Sequence, residues 1–586
     1  MRQWMVAAKK ADFYAIAEKF HVDPVVARII RNREVIGEKN IRIYLGGNLS
    51  DLSDPHQMKD MDRLVEILAQ KIRKQAHIRI IGDYDVDGVT SSHLFLTALR
   101  RVGAKVDVVI PHRIQDGYRL SLHLLQQAKE DGVDTILTCD NGIAAIDEIA
   151  WAKAQKMTVL VTDHHAVPFE EHEGRRTEKK SLADAVVNPH QQDCGYPYKE
   201  LCGAGVAWNV IRVLYENYDM DKREAEDLLD FVAMATVCDV MSLTGENRIL
   251  VKEGLKRIRH TKNIGLQALM QACNVQPENI SAYHFGYVLG PCVNATGRLD
   301  TARHALRLFE TGQETEAEEI ARDLVDLNQE RKELTLQGVE MAKKLCEEGG
   351  YENDPVLVLF LPDVHESIAG LIAGRIREMY NRPVFVLTRG EEGVKGSGRS
   401  TENYSMYENM CGCAELFTKF GGHPMAAGLS LPEENVEKFR RKINENCPLT
   451  VEEVCPDIHI DMAMPVGYAS TELVHQFALL EPFGKDNPSP LFADRNLSIS
   501  RMWVIGKNRN VLRMSVLSEY GQPVPVIFFG DVETLFAYFT EKFGQKEVEN
   551  ALHGRKNRIL FSMVYTAKID FYQGNENLQL EMKYYR

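Results

Sequence analysis

The chain has 586 residues, 44% of them hydrophobic and 26% charged, with 84 acidic against 70 basic side chains and a formal net charge of −14. That is the composition of an ordinary globular protein too long for one core, so three or four domains are expected. It holds no apolar run long enough to cross a bilayer, and its acidic balance argues against a general polyanion binder, although a local basic groove remains compatible with it.

Residues 1–75 carry scattered cations and the opening WMVAAKKAD, from which no chemistry is read; the opening lacks the apolar core of a signal peptide. From residue 75 to about 189, strand-like and helix-like pieces alternate. The strands are HIRII (77–81), KVDVVI (105–110), DTILTC (134–139), TVLVT (158–162) and DAVVN (184–188), separated by helical stretches such as SSHLFLTALRRVG and AAIDEIAWAKAQK. That alternation predicts parallel βαβ units in a doubly wound sheet, with functional groups beyond the carboxyl ends of the strands. A mostly helical stretch follows to about 310. A long amphipathic helix is predicted over 314–348, then a smaller α/β unit with VLVLFL (356–361) and PVFVLT (383–388). After Pro456 short alternating strands predict a small β-rich domain of barrel type. The 11 cysteines are scattered without a CxxC pair or a familiar zinc spacing and read as reduced thiols of a cytoplasmic protein.

Four of the five strands end in unusual chemistry. The first runs into GDYDVDG, where Asp83, Asp85 and Asp87 would point to one side if the extended conformation continued. The third ends in Cys139-Asp140-Asn141-Gly142, the fourth in Asp163-His164-His165, and the fifth in Asn188-Pro189; Asp239 follows a later apolar helix. Each alone has a bland reading. DxDxDG resembles a calcium loop but lacks its downstream Glu, the histidine pair could be an accident, and Asp140 could cap a turn. On one rim together, however, these carboxylates repel one another and need cations between them. Mixed Asp and His ligation suits Mn²⁺, or Mg²⁺ where oxygen dominates, in a two-ion site for phosphoryl chemistry.

These four motifs resemble those of the DHH phosphoesterase superfamily. PHRIQDGY (111–118), SLTGENR (242–248), LGPCVNATGRLDTA (289–302), LNQERK (327–332), KGSGRS (395–400), GGHPMAAG (421–428) and LEPFGKDNPSP (480–490) extend the resemblance to the RecJ family of single-strand-specific DNA exonucleases, over residues 77 to about 510. The resemblance implies an N-terminal segment (1–75), a DHH domain (76–313), a connecting helix (314–348), a DHHA1 domain (349–455) and an oligonucleotide-binding (OB-like) barrel (456–586). It implies 5′→3′ degradation of single-stranded DNA with two Mn²⁺ or Mg²⁺ ions in recombination and repair. Asp83, Asp85, Asp87, Asp140, His164 and Asp239 would be the metal residues, with Asp140 bridging and Asp83 the weakest of the set. His165 would face the scissile phosphate, completing a catalytic group with Asp140 and His164, and Asp163 would orient the histidines.

Arg113, Arg298, Ser397, Arg399, Gly421, Gly422 and His423 would hold substrate phosphates, although Arg298 could equally form a structural ion pair. On the barrel, Arg501, Trp503, Lys507, Arg509 and Arg513, with Phe528 or Phe529, could face a single strand; a buried Trp503 is nearly as good a reading. The sequence departs from the family pattern at Arg119, at Cys292, where Arg is expected, and at Val364-His365-Glu366-Ser367. None of these is in the metal set, so they bear on substrate grip and processivity. Single-stranded DNA, a single-strand-binding protein and a helicase are the expected partners, with no membrane and a monomeric chain. Two other readings are a DHH phosphodiesterase of short oligonucleotides or cyclic dinucleotides, which would not need the barrel, and a non-catalytic DNA-binding scaffold, which would be expected to lose the acidic set.

Overall fold

A computed structural model describes residues 3–111, 120–172, 175–299, 301–390, 393–506, 509–572 and 574–586. The chain divides into two compact units, residues 48–456 and residues 3–47 together with 457–586.

In the first unit, five parallel strands form a sheet in the order Lys105–Val109, His77–Ile81, Thr135–Cys139, Thr158–Thr162, Ala185–Val187. Helices cover both faces, so the inner strands Thr135–Cys139 and Thr158–Thr162 are buried along almost their whole length. The edge strand Lys105–Val109 instead keeps Lys105 exposed and pairs its Asp107 with Arg79. Leu137 and Leu160 join one core with the helices Val86–Arg101 and Gly203–Asn217, while Ile136 and Val159 face the other with Leu122–Glu130 and Ile146–Ala154. The strand order reverses direction between His77–Ile81 and Thr135–Cys139. At such a switch point the two following connections leave on opposite faces and open a crevice at the strand ends.

The helix Glu314–Glu348 runs on from this layer. Its Ala317, Ile320, Ala321 and Leu324 are buried in the first core, and its Val339, Ala342 and Cys346 in the core of a second sheet. That sheet has the order Lys419–His423, Ala426–Leu431, Gly393–Arg399, Val384–Gly390, Leu357–Phe360, with only the last pair parallel. The helix Glu366–Tyr380 packs on its Val384–Gly390 and Gly393–Arg399 strands.

The second unit is a closed five-stranded barrel. Phe492–Ile505 pairs with Val511–Leu517, then Pro523–Phe529, then in parallel Asn575–Tyr585, then Leu560–Tyr572, which returns to Phe492–Ile505. Closure leaves no strand edge within that ring. Residues 3–47 belong to this unit, which corrects the reading of 1–75 as a separate segment. Val26, Ile30 and Tyr44 lie in the barrel's core cluster, and Trp4–Val6 pairs with Ile458–Ile460. The buried Arg33 guanidinium grips Asp461 with both branches, at 2.7 and 3.1 Å. Among the described residues no helix is long and apolar enough to cross a membrane.

Candidate metal centre and phosphate clamp

The strand His77–Ile81 stops before the aspartates, so the extended reading of Asp83, Asp85 and Asp87 does not hold. Asp85 is the N-cap of the helix Val86–Arg101, its Oδ1 accepting from the Gly88 amide at 3.1 Å. Capping satisfies an amide that a helix start otherwise leaves unpaired. Asp87 therefore lies in the first helical turn and is buried. Its two oxygens accept from the amides of Gly203 and Ala204, at 2.6 and 2.7 Å, at the start of the helix Gly203–Asn217. Two helix N-termini thus share the charge of this carboxylate.

Asp140 follows the last residue of Thr135–Cys139 in a left-handed conformation, φ 61°, and is buried. Strain of this kind persists where the surroundings over-determine it. Asp239 caps the carboxyl end of Leu229–Cys238. His164 converges on all three, with Nε2 3.0 Å from Asp140 Oδ1 and 3.7 Å from both Asp87 Oδ2 and Asp239 Oδ2. His165 lies beside it, ring centres 4.4 Å apart, with Nδ1 3.9 Å from Asp140 Oδ1. Asp163, fully buried, accepts from the amides of Ile143, His164 and His165 and from His165 Nδ1 at 2.8 Å. It fixes the loop and the ring and spends its oxygens there. Asp83 accepts from the Tyr84 amide at 2.7 Å, and neither it nor Asp85 joins a three-residue donor group among the described residues.

Electrostatics report how crowded the cluster is. Burial, then the neighbouring Asp85, raises Asp83 to about 8. Burial and Asp87 raise Asp85. Burial, Asp87, Asp85 and Asp239 raise Asp140 well above the ordinary carboxylate range. Burial alone would lower His165, yet the bond to Asp163 and nearby carboxylates raise it to about 9. Burial pushes Asp163 up as well, but the His165 bond and both histidines hold it below its usual value. His164 is lowered by burial, and its buried Nε2 makes no hydrogen bond. An unsatisfied imidazole nitrogen among close carboxylates is a donor set for divalent cations. Asp140 with His164 and His165, and Asp87 with His164 and Asp239, bring one donor atom each within 4.8 Å of the others.

A continuous set of contacts leads from this cluster to the second sheet. Asn294 Oδ1, on the helix Gly290–Leu299, accepts from the Val86 amide at 3.2 Å. One turn on, Arg298 Nη1 donates to the Ser367 carbonyl at 2.7 Å. Ser367 opens the helix Glu366–Tyr380, whose Gly370 faces the sheet. A Cβ at Gly370 would stand 2.8 Å from Arg399 Nη2 and 3.1 Å from Ser397 Oγ. Ser397 and Arg399 are two residues apart and share that face. The register then adds His423, because Arg399 and His423 both pair with Ala426, while Ser397 and Gly421 both pair with Gly428. Opposite residues of an antiparallel pair point to the same side, so Ser397, Arg399 and His423 form one polar row. Gly422 is required by its backbone, φ 155°, and by Ala426 and Ala427 against it, whereas a Cβ at Gly421 would meet open space.

Sequence reasoning missed three participants. Gly203 carries no side chain because a Cβ there would lie 2.6 Å from Asp140 Cβ. Gly370 makes room for the Arg399 and Ser397 side chains, and Asn294 ties the helix Gly290–Leu299 to the start of Val86–Arg101. Small residues in GAG and SIAGLIAG and the Asn of NATGR were the available signals. Arg113, Arg119 and Lys507 lie outside the described residues. His365 is an N-cap, its Nδ1 2.7 Å from Ser367 Oγ.

On the barrel, Arg501, Trp503 and Arg513 share an exposed face: Trp503 pairs with Arg513, and the Arg501 guanidinium lies 5.8 Å from the Trp503 ring centre. Trp503 is therefore not core. Arg509 is exposed in the turn beyond. Phe529 is 56% exposed, whereas Phe528 is buried in the barrel core and leaves the candidate face.

Comparison with known proteins agrees with this layout. Residues 77–236 match the DHH family, N-terminal domain; residues 353–447 match the DHHA1 domain; residues 460–584 match the RecJ OB domain. The single-stranded-DNA-specific exonuclease RecJ of Haemophilus influenzae is 32% identical over 96% of each chain. That of Bacillus subtilis is 32% identical over 87% of this chain, which spans 63% of that longer relative. The crystal structure of RecJ from Thermus thermophilus in complex with Mn²⁺ superposes with a TM-score of 0.81 at 25% identity, covering all of this chain and 79% of the other. An exonuclease RecJ bound to manganese gives 0.57 at 31% identity over 66% of this chain and 94% of the other.

Proposed function

The chain belongs to the RecJ family of single-stranded-DNA-specific exonucleases, and from that premise we propose that it hydrolyses single-stranded DNA from the 5′ end to mononucleotides with Mn²⁺ or Mg²⁺. The observation that carries the reading is the convergence of Asp87, Asp140 and Asp239 on the unsatisfied Nε2 of His164 at the switch point of the sheet.

Two divalent ions fit this donor set. Asp87, Asp140, His164 and Asp239 would hold them, with Asp140 the carboxylate that would serve both ions. When bound, the ions polarise the phosphoryl oxygen and lower the pKa of attacking water.

The chain's own groups do the rest. Asp163 accepts the Nδ1 proton of His165 and so keeps the ring oriented, with its Nε2 proton available to a phosphate oxygen. Against burial, the bond to Asp163 raises His165, which suits the ring to donate a proton toward the negative charge that grows as the phosphoryl group is attacked. Arg399, Ser397 and His423 hold backbone phosphates, and the link through Arg298 and Asn294 sets their spacing from the cluster.

Arg501, Trp503 and Arg513 suit a strand long enough to leave the active site, by stacking and phosphate contact, which favours a polymer over a dinucleotide. A helicase that exposes the strand and a single-strand-binding protein that covers it are the partners this reading calls for, with a monomeric enzyme.

The test is a time course on oligonucleotides labelled at either end, with Mn²⁺ and with EDTA. Immediate metal-dependent release of labelled mononucleotide from the 5′ label, with stepwise shortening from the 3′ label, is expected. Tight binding without cleavage would contradict hydrolysis, and mononucleotide released first from the 3′ label would contradict the polarity.

A further inference from the structure

The helix Gly290–Leu299, which ties the metal centre to the clamp, also carries a thiol that plays no part in either. Cys292 is buried, and its Sγ lies 3.7 Å from Sγ of Cys273, the half-buried C-cap of the helix Ile264–Ala272. Both helices pack against Glu314–Glu348. From that helix Asn328 donates to Cys292 Sγ at 3.3 Å, and Arg331 donates to Asn328 Oδ1 at 2.9 and 3.1 Å. Cys292 Sγ also lies 3.3 Å from the Val288 carbonyl. The contact with Cys292, helped by Lys332 and opposed by burial, lowers the Cys273 thiol, while the contact with Cys273 and then burial raise Cys292. One sulfur is half-buried and the other buried in contact with it, the arrangement of an attacking and a resolving cysteine.

We propose that Cys273 and Cys292 form a reversible disulfide when the protein meets a hydroperoxide. The Cys273 thiolate attacks the peroxide oxygen and the O–O bond breaks, leaving a sulfenic acid on Cys273 and hydroxide that takes up a proton. The Cys292 sulfur then attacks the Cys273 sulfur. The S–O bond breaks, and the departing oxygen leaves as water with the Cys292 proton. Two thiols lose two electrons and one hydrogen peroxide becomes two waters.

Bonding draws the sulfurs from 3.7 Å to about 2.05 Å and pulls Cys292 away from Asn328. The displaced helix holds Asn294 under the metal-site helix and Arg298 against Ser367, so the oxidised protein hydrolyses single strands several-fold more slowly. This last consequence rests on the proposed exonuclease activity; the disulfide does not.

The sequence makes the test clean. Residues 263–298 contain both cysteines, no third one, and no Lys or Arg before Arg298, so trypsin releases the pair in one peptide. The full-length protein is treated with hydrogen peroxide, quenched, denatured, alkylated without reductant and digested. The expected peptide carries no alkyl group and weighs two hydrogens less than its free-thiol form, and dithiothreitol restores two alkylatable thiols. A doubly alkylated peptide, or separate sulfinic acids on the two cysteines, would overturn the proposal.

Cys273→Ser should leave untreated activity unchanged and make it indifferent to peroxide. Formation of the disulfide with no change in turnover would overturn the coupling to the clamp. Absence of nuclease activity before treatment would instead count against the exonuclease reading, with the mass result still decisive for the bond.

Discussion

At the scale of single residues, the metal centre is a place where ordinary stability rules are suspended. Asp140 is buried among like charges with φ at 61° and its pKa raised. Its neighbour Asp83 is raised to about 8. Ligand carboxylates must be deprotonated, so cation binding at Asp140 expels protons. Calorimetric titration of Mn²⁺ in buffers of different ionisation enthalpy should show net proton release at pH 7. Affinity should weaken as pH falls, because Asp140 takes up a proton well above the ordinary carboxylate range; affinity independent of pH would refute the crowded cluster. Asp163→Asn keeps an oxygen for the His165 ring but removes the negative charge that raises His165. His165 should then lose its proton at lower pH than about 9, moving the alkaline limb of the rate profile downward. Loss of such a supporting partner costs roughly 10–100-fold in activity, and an unshifted limb with full turnover would contradict its role.

At the scale of elements, the sequence was informative where chemistry is local and silent where it depends on packing. HIRII and TVLVT coincide with the observed strands and 314–348 with the connecting helix, because apolar runs and helical periodicity are written into neighbouring residues. The mistaken extension through Asp83, Asp85 and Asp87 came from alternation alone; an N-cap at Asp85 outweighs it, since a helix start must satisfy its first amides. Glycines at Gly203 and Gly370 were invisible as functional residues because their contribution is the side chain they lack. They predict opposite outcomes. In Gly203→Ala the new Cβ meets Asp140 Cα and Cβ, at 3.0 and 2.6 Å, which should cost about 1–3 kcal/mol of stability and weaken Mn²⁺ binding. In Gly370→Ala it meets the far end of the Arg399 side chain, which can swing away. The melting temperature should hold or rise, as replacing a helical Gly with Ala gains up to about 1 kcal/mol, while KM for single strands increases more than kcat falls. Equal KM in that variant would remove Arg399 from the clamp.

At the scale of the whole molecule, the least legible feature was where residues 3–47 belong. PVVARIIRN (24–32) is visibly amphipathic, but its partner lies more than 400 residues away, at Asp461 and beyond, and periodicity names no partner. Because Val26 and Ile30 are fully buried in the barrel core, deleting 3–47 alone should leave the C-terminal unit unstable and rapidly proteolysed. Removing 3–47 and 457–586 together should leave 48–456 folded and able to bind Mn²⁺, cutting short strands but with weakened hold on long ones. Resistance of the 3–47 deletion to protease would contradict the shared core.

The central claim is that Asp140 joins two cation sites on which hydrolysis depends. It is tested most directly by measuring Mn²⁺ stoichiometry and turnover on the same samples of wild type and Asp140→Ala. The account predicts two ions bound and metal-dependent release of mononucleotide for the wild type, with at least one ion lost and turnover abolished in a variant that remains folded. Two ions retained and near-normal turnover in Asp140→Ala would contradict it.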